Sequence, residues 1–169
     1  MNIALRPVSP GDEEFLFSVY ASTRVEELAL ADWSSAQKDF FLRMQFRAQS
    51  QAYTENYPGA ELQLILLGGL PIGRLYVHRT RDEVRVMDIS LLPQYRGQGI
   101  GTQLLKGILE EGAESNRPVT IHVEPFNPAM HLYERLGFRQ VSDLGVYSFM
   151  KWLPAILEKD EVARTTAKQ

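Results

Sequence analysis

The hydrophobic positions of the chain follow two periods, one typical of strands and one typical of helices. Apolar residues occupy alternate positions in short runs such as residues 62–66 and 119–123, which predicts strands. They recur at every third or fourth position over residues 100–109, which predicts an amphipathic helix. Taken along the chain, the pattern predicts the order β-α-α-β-β-β-α-β-α-β-β and a mixed, mostly antiparallel sheet.

The first sixty residues are predicted to hold one short strand and two helices. Pro7 ends the strand, because proline cannot donate to a strand ladder. The first helix starts at Ser9 and Pro10 and runs to about residue 30. Asp32 or Ser34 caps the second helix, which reaches about residue 52 and directs its aromatic side chains into the core.

The remaining boundaries follow from turn residues and apolar runs. Gly68 and Gly69 predict a hairpin turn. The predicted elements are strands 71–78, 84–92 and 119–123, helices 99–115 and 129–136, a final hairpin of 138–141 and 146–152 that turns at 142–145, and a frayed tail over 159–169.

Composition narrows the class of protein. With 169 residues, 44% hydrophobic and 23% charged, the chain is expected to form one domain over residues 1–153, followed by a polar tail over 154–169. A net charge of −3 argues against nucleic-acid binding. There is no cysteine, which excludes a thiol nucleophile and a cysteine metal site. No signal peptide and no membrane-spanning run are recognisable, so we expect a cytoplasmic protein without a membrane partner.

The stretch from residue 91 to residue 102 carries the clearest chemical signal. An apolar strand enters it, a helix leaves it, and Gly97, Gly99 and Gly101 lie between them behind Arg96. The first N–H groups of a helix have no intrahelical partner, and the helix dipole adds partial positive charge there. Glycine allows an anion to approach the backbone closely. The stretch therefore predicts a phosphate site, with a tight turn that binds no ligand as the alternative.

Spacing decides against two common phosphate loops. A Walker loop requires a lysine directly after its second glycine, and none follows in that register. A dinucleotide fingerprint requires the spacing Gly-x-Gly-x-x-Gly, whereas the third glycine here comes one residue early. Both classes of site are therefore disfavoured.

Two motifs together resemble the GNAT superfamily of N-acyltransferases. Arg96-x-x-Gly99-x-Gly101 is similar to the loop with which that family binds the pyrophosphate of acyl-CoA. About 26 residues later, Asn127 precedes the run Leu132-Tyr133-Glu134 and then Gly137-Phe138, which resembles the second GNAT signature. The distance suits one helix plus one strand. The resemblance covers residues 60–150 well and the first sixty residues more loosely.

The resemblance implies both a fold and an activity. The fold is an α+β GNAT fold with three α/β/α layers, in which a six- to seven-stranded, mostly antiparallel sheet splays at a central parallel pair and the pantetheine arm enters the gap. The activity is transfer of an acetyl group from acetyl-CoA to a primary amine of a small molecule or a protein, by direct attack in a ternary complex. The implied cofactor-binding residues are Leu91, Leu92, Arg96, Gly97, Gln98, Gly99, Ile100, Gly101, Thr102, Asn127 and Tyr133.

Tyr133 is the implied general acid. A phenol with a pKa of about 10 can protonate the thiolate that leaves the thioester. Asn127 lies six residues before Tyr133, where the family also commonly has seven, so its assignment to the pantetheine depends on Pro128 absorbing the difference.

The general base and the acceptor contacts are left open by the sequence. Glu83, Asp88 and Glu124 are the candidate bases, and an odd separation directs Glu83 and Asp88 to opposite strand faces. Arg24, Glu26 and Glu27 are candidate acceptor-binding residues, because they fall where the family has its substrate-side helices.

The expectations about other partners are brief. The three histidines lack metal-ligand spacing, so no metal is expected. The chain is expected to be a monomer or a homodimer. A catalytically inactive acyl-CoA-binding sensor or interaction module is the alternative function.

Overall fold

The computed structural model describes residues 1–124, 127–143 and 147–168, which form seven strands and six α-helices in the order β-α-α-α-β-β-β-α-β-α-β-β-α. The strands are β1 (Ile3–Pro7), β2 (Glu61–Leu67), β3 (Leu70–Arg79), β4 (Val84–Leu91), β5 (Val119–Val123), β6 (Arg139–Asp143) and β7 (Ser148–Trp152). The helices are α1 (Glu13–Ser22), α2 (Val25–Ala29), α3 (Ser35–Asn56), α4 (Ile100–Ser115), α5 (Met130–Arg135) and α6 (Ala155–Ala167), with short 3-10 helices at Pro10–Asp12 and Pro93–Tyr95.

The strands form a mixed sheet in the hydrogen-bonded order β1-β2-β3-β4-β5-β7-β6. β4 and β5 run parallel, with Val84 opposite Val119. β1 with β2, β5 with β7, and β6 with β7 are antiparallel. The predicted mixed sheet with a parallel pair next to the glycine-rich loop is confirmed.

The chain folds into two compact units, and the first consists of residues 1–76 and 88–98. Its core joins α1 to α3 through aromatic rings. The ring centroid of Phe46 lies 5.8 Å from that of Phe17 and 5.7 Å from that of Tyr20. Ser34, rather than Asp32, caps α3 by accepting a hydrogen bond from the N–H of Gln37 at 3.2 Å.

One glycine of the first unit permits an unusually close approach of β3 to β4. A Cβ atom added to Gly73 would overlap the carbonyl oxygen of Ser90 and lie 2.9 Å from Cδ2 of Leu91. No larger residue fits without a backbone shift. The N–H of Leu92 donates to the carbonyl of Ile72 at 2.9 Å, so β3 also holds the residue that follows β4.

The second unit consists of residues 77–87 and the described residues from Gly99 onward. α4 packs closely on β5 at Gly112, where an added Cβ would lie 2.8 Å from Cγ2 of Val119. The core side chains that are almost fully buried here are Val84, Val86, Ile100, Leu105, Val119, Phe138 and Met150. The apolar stripe predicted for α4 is thereby confirmed.

The helical region after β1 differs from the prediction of one helix reaching residue 30. α1 ends at Ser22, and α2 is a separate helix. The hydroxyl groups of Ser22 and Thr23 donate to the carbonyl oxygens of Val19 and Tyr20, each at 2.7 Å. Such bonds compete with the helical ladder, which explains why the helix stops here.

The prediction of a frayed tail is wrong. α6 has thirteen residues, begins after Pro154, includes residues 159–167 of the predicted tail, and carries Glu158 in its first turn and Arg164 in its last. These charges suit the helix dipole, and the segment is rich in strong helix formers. Of the predicted final turn, Ser142 and Asp143 belong to β6, and residues 144–146 lie outside the described residues.

Candidate functional site

The glycine-rich loop continues directly from the end of β4 into α4. Gly97 and Gly99 have φ angles of 71° and 82°, the left-handed region that other residues rarely adopt. Gly99 is the N-cap residue, and its carbonyl accepts the first helical bond from the N–H of Gln103 at 3.0 Å. Ile100 is fully buried and anchors the start of the helix.

The start of α4 is open to a ligand. Within the described part of the chain, no side chain caps this helix end. The N–H groups of Ile100, Gly101 and Thr102 precede the first helical bond and need partners from outside the helix. A Cβ atom added to Gly101 would meet nothing within 4 Å, so there is open space beside this residue of the first turn. These features fit an anionic ligand such as a diphosphate.

Arg96 lies beside this loop and is exposed. Its Nε donates to the carbonyl of Leu91 at 2.9 Å, and Nη2 donates to Oγ of Ser22 at 3.1 Å. Both partners are uncharged, so a phosphate could replace either of them with a gain in charge pairing. Gln98, the other polar side chain of the turn, donates to the carbonyl of Gln94 at 2.9 Å.

The two leucines predicted to meet the pantetheine differ in availability. The N–H of Leu92 is committed to Ile72, and its carbonyl accepts the N–H of Tyr95 at 3.0 Å. The carbonyl oxygen of Leu91 accepts the hydrogen bond from Nε of Arg96. Arg96 and Leu91 are therefore in direct contact.

Tyr133 lies in α5 and is 4% exposed. Its ring packs edge-on against Phe138, with the ring centroids 5.8 Å apart. Its carbonyl accepts the N–H of Phe138 at 3.0 Å, at the turn where Gly137 adopts a φ of 98°. The Tyr-to-Gly-Phe spacing of the second motif thus fixes the position of the tyrosine ring.

Asn127 has a structural contact at the start of α5. Its Oδ1 accepts the N–H of Ala129 at 2.9 Å, and its own N–H donates to the carbonyl of Glu124 at 3.0 Å. This side-chain oxygen therefore supports the turn into the helix, which leaves the amide NH₂ group as the end that can face a ligand. Residues 125 and 126 lie outside the described residues.

Two of the candidate bases are ion-paired with arginines. Oδ2 of Asp88 accepts from buried Arg74 at 2.8 Å, and Oδ1 accepts from the Ser90 hydroxyl at 2.6 Å. Oε1 of Glu83 lies 3.0 Å from Nη2 of Arg85, and Oε2 accepts from the hydroxyl of Thr120 at 3.0 Å. The carboxylates belong to separate clusters, each with its own arginine. Glu124, the third candidate, is exposed at the end of β5.

His122 is a candidate base that the sequence reasoning did not include. Nδ1 lies 3.5 Å from Nη1 of Arg85, and the ring centroid lies 5.0 Å from that of Phe149. Burial lowers the pKa of His122 below its ordinary value, and the positive charge of Arg85 lowers it further, against an opposing effect of Glu83. The alternation of residues along β5 is the sequence feature that could have indicated His122. Ile121 and Val123 are buried, so His122 between them faces the other side of the strand.

The predicted acceptor-binding residues lie at the start of the short helix α2. Arg24 pairs with Glu27 at 3.4 Å and lies over the ring of Tyr20 at 5.5 Å from its centroid. Glu26 is exposed in the first turn of α2. The structure therefore keeps the three predicted residues together at one end of α1.

Two further properties bear on the kind of site. Among the residues that the structure describes, no group of three or more histidine, aspartate or glutamate side chains is arranged to hold a metal ion. None of the helices within the described ranges has the length and apolarity needed to cross a bilayer.

Comparison with known proteins gives consistent results. Residues 60–140 match the family model described as an acetyltransferase (GNAT) domain. The chain is 37% identical to an N-alpha-acetyltransferase of Sulfurisphaera tokodaii over an alignment of 65 residues. This alignment covers 37% of this chain and 39% of that protein. It is 32% identical to the [ribosomal protein bS18]-alanine N-acetyltransferase of Haemophilus influenzae over an alignment of 71 residues, and this alignment covers 41% of this chain and 49% of that protein. The match thus spans less than half the length of either relative.

The fold is shared with solved structures over nearly the whole chain. The crystal structure of a PaiA N-acetyltransferase from Thermoplasma acidophilum, in complex with coenzyme A, superimposes with a TM-score of 0.68 and 17% identity. It covers 90% of this chain and 99% of that one. The predicted GNAT fold is confirmed.

Proposed function

Because the chain belongs to the GNAT superfamily, we propose that it is an N-acetyltransferase that moves an acetyl group from acetyl-CoA to a primary amine. The observation that carries the proposal is the uncapped start of α4 behind a left-handed Gly99. A helix start of this kind binds phosphate groups, and acetyl-CoA presents a diphosphate.

The diphosphate would be bound by the backbone of residues 97–101 together with Thr102. Arg96 would add its guanidinium fork, which pairs two phosphate oxygens at once. Its present partners, Leu91 and Ser22, are neutral, so exchanging one of them for a phosphate is favourable.

The pantetheine arm would pair with backbone groups of Leu91. We favour Leu91 over Leu92 because both backbone groups of Leu92 have backbone partners, whereas the carbonyl of Leu91 accepts from the side chain of Arg96, which would turn to the diphosphate. The amide NH₂ of Asn127 would contact the same arm, since its Oδ1 is used at the start of α5.

Acetyl-CoA supplies the thioester carbonyl that the amine attacks, and CoA thiolate is the leaving group. Tyr133 would protonate this thiolate through its hydroxyl group. The packing of its ring against Phe138 supports this role, because a fixed ring holds the phenol in one orientation.

The base would be His122 or Glu124 rather than Glu83 or Asp88. Glu83 and Asp88 each accept from an arginine and a hydroxyl, so either would lose an ion pair on taking a proton. His122 has a lowered pKa and is therefore neutral at pH 7, the form that accepts a proton.

The acceptor would be an α-amino group at the N-terminus of a peptide or protein. The names of the two curated relatives support this class. An α-amino group has a pKa near 8, against about 10.4 for lysine, so a histidine can deprotonate it more readily. Glu26 and Glu27 would attract the amine, and Arg24 would pair with an acidic group of the acceptor.

Release of free CoA thiol tests the proposal. The purified protein receives acetyl-CoA with peptides that have a free α-amino group, with Nα-acetylated lysine peptides, and with small polyamines. We expect amine-dependent thiol release that is greatest with free α-amino groups. Acetyl-CoA binding without thiol release in the presence of any of these amines would favour the alternative, an inactive acyl-CoA sensor.

We further propose that the protein acts in the cytoplasm as a monomer or homodimer.

A further inference from the structure

Arg74 of β3 is the only charged residue that is buried in the described part of the chain, with 2% of its side chain exposed. Its Nη2 donates to Oδ2 of Asp88 and to Oε1 of Gln49, each at 2.8 Å. Nε has no hydrogen-bond partner among the described residues. An apolar pair of similar volume is often at least as stable as a buried ion pair, so stability alone does not account for this arginine.

Asp88 is the centre of the hydrogen bonds around Arg74. Its two oxygens accept from Arg74 of β3, from Ser90 of β4 at 2.6 Å, and from the hydroxyl of Tyr53 of α3 at 3.4 Å. Three elements of the first unit therefore meet at one carboxylate. Burial is the largest single influence and works against the charged form of Arg74, but the charge and hydrogen bond of Asp88 together with Tyr76 and Tyr53 outweigh it, so the pKa of Arg74 is raised and the guanidinium stays charged.

The residues beside this ion pair lock the end of β4. Gly73, next to Arg74, lies against the carbonyl of Ser90, and Ile72 accepts the N–H of Leu92. Residues 72–74 of β3 therefore hold residues 88–92, at the end of β4, through a backbone bond, a close contact and an ion pair. Leu91, within this stretch, is the residue assigned above to the pantetheine.

We propose that Arg74 is a positioning residue for acetyl-CoA, which fixes the backbone at Leu91 through Asp88 without touching the cofactor. This inference rests on the proposed function. It gives Asp88 the same indirect role, in place of the role of general base.

Four variants and a control test the inference. Arg74→Lys keeps a charge but loses the fork, and Asp88→Asn keeps the shape but loses the charge. The double variant Arg74→Met/Asp88→Leu replaces the pair with apolar side chains, and Tyr53→Phe removes one donor only. Arg43→Met is the matched control, because Arg43 also joins α3 to another element, pairing with Glu14 of α1 at 2.8 Å, away from β4.

The readouts are the melting temperature, the Kd for CoA by calorimetry, and the separate KM values for acetyl-CoA and for the amine. We expect Arg74→Lys and the double variant to raise the KM for acetyl-CoA and the Kd for CoA about tenfold, a coupling of ordinary size. The amine KM and kcat should stay within about twofold. The double variant should recover the melting temperature that Asp88→Asn loses, but not the affinity.

A double variant with wild-type affinity for CoA and a wild-type KM for acetyl-CoA would overturn the inference. So would an Arg43→Met control that weakens CoA binding as much as Arg74→Lys, since the effect would then follow general stability. If wild-type protein neither binds CoA nor releases it from acetyl-CoA, the proposed function fails first, and the inference fails with it.

Discussion

Nη1 of Arg85 lies 3.5 Å from Nδ1 of His122. The cation disfavours a second positive charge on the ring, which contributes to the lowered pKa of His122. If His122 is the base, kcat/KM should rise with pH through an inflection below 6.5 and then level off until another group titrates.

Removal of Arg85 should move that inflection to higher pH. In Arg85→Met, the cation that lowers the histidine pKa is gone, and Glu83, which raises it, remains. The measurement is the pH profile of kcat/KM for wild type, Arg85→Met and His122→Gln. A His122→Gln variant with wild-type activity and the same inflection would exclude His122 and leave Glu124 as the candidate.

Gly73→Ala should disturb both folding and cofactor binding. Its new Cβ would overlap the carbonyl of Ser90, so β3 or β4 has to shift. We expect a loss of about 1–3 kcal/mol in the free energy of unfolding, and a higher KM for acetyl-CoA. Denaturant unfolding measures the free energy of unfolding, and steady-state kinetics measure the KM for acetyl-CoA.

Gly107→Ala is the matched control for that variant. A Cβ atom there meets nothing within 4 Å, and the residue is inside α4. Alanine should therefore stabilise the protein by about 0.5–1 kcal/mol without changing the KM. Equal effects of the two substitutions would refute the importance of the close contact at Gly73.

Arg96→Ala should weaken acetyl-CoA binding by about 10- to 100-fold, because a charge-assisted hydrogen bond contributes about 1.5–3 kcal/mol. The KM for acetyl-CoA should rise while kcat stays nearly unchanged. Arg81→Ala, which removes another exposed arginine, serves as the control. An unchanged KM in Arg96→Ala would remove Arg96 from the phosphate site.

Tyr133→Phe should lower kcat by about 100-fold or more, the usual contribution of a general acid, and leave the KM for acetyl-CoA nearly unchanged. Phenylalanine keeps the edge-on packing against Phe138, so folding should be preserved. Tyr57→Phe, at the end of α3, controls for the loss of a tyrosine hydroxyl elsewhere. Full activity in Tyr133→Phe would assign the proton to another group.

Local sequence patterns predicted the elements whose signals lie within a few residues. The glycines at 97, 99 and 137 marked turns because the backbone there needs positive φ angles. The hydroxyl groups of Ser22 and Thr23 offered a similar local signal, which the helical periodicity of the neighbouring residues outweighed. The polar composition of the last residues predicts a frayed tail, whereas their strong helix formers allow α6 to form.

Contacts between distant residues could not be predicted in the same way. Arg74 and Asp88 are on different strands, and their pairing depends on the register of β3 against β4. Arg85 meets His122 only because β4 and β5 run parallel with Arg85 opposite Thr120. These contacts pair Asp88 with an arginine and contribute to the lowered pKa of His122, so the candidate base could not be chosen from the sequence.

The binding of acetyl-CoA and of acetyl-pantetheine, compared by calorimetry, tests the central claim most directly. Acetyl-pantetheine keeps the thioester and the pantetheine arm but lacks the diphosphate and the 3′-phosphorylated adenosine, and adenosine 3′-phosphate alone controls for the latter. If the start of α4 binds the diphosphate, acetyl-pantetheine should bind at least about 100-fold more weakly than acetyl-CoA, and adenosine 3′-phosphate should bind poorly. Equal Kd values for acetyl-CoA and acetyl-pantetheine would contradict the account.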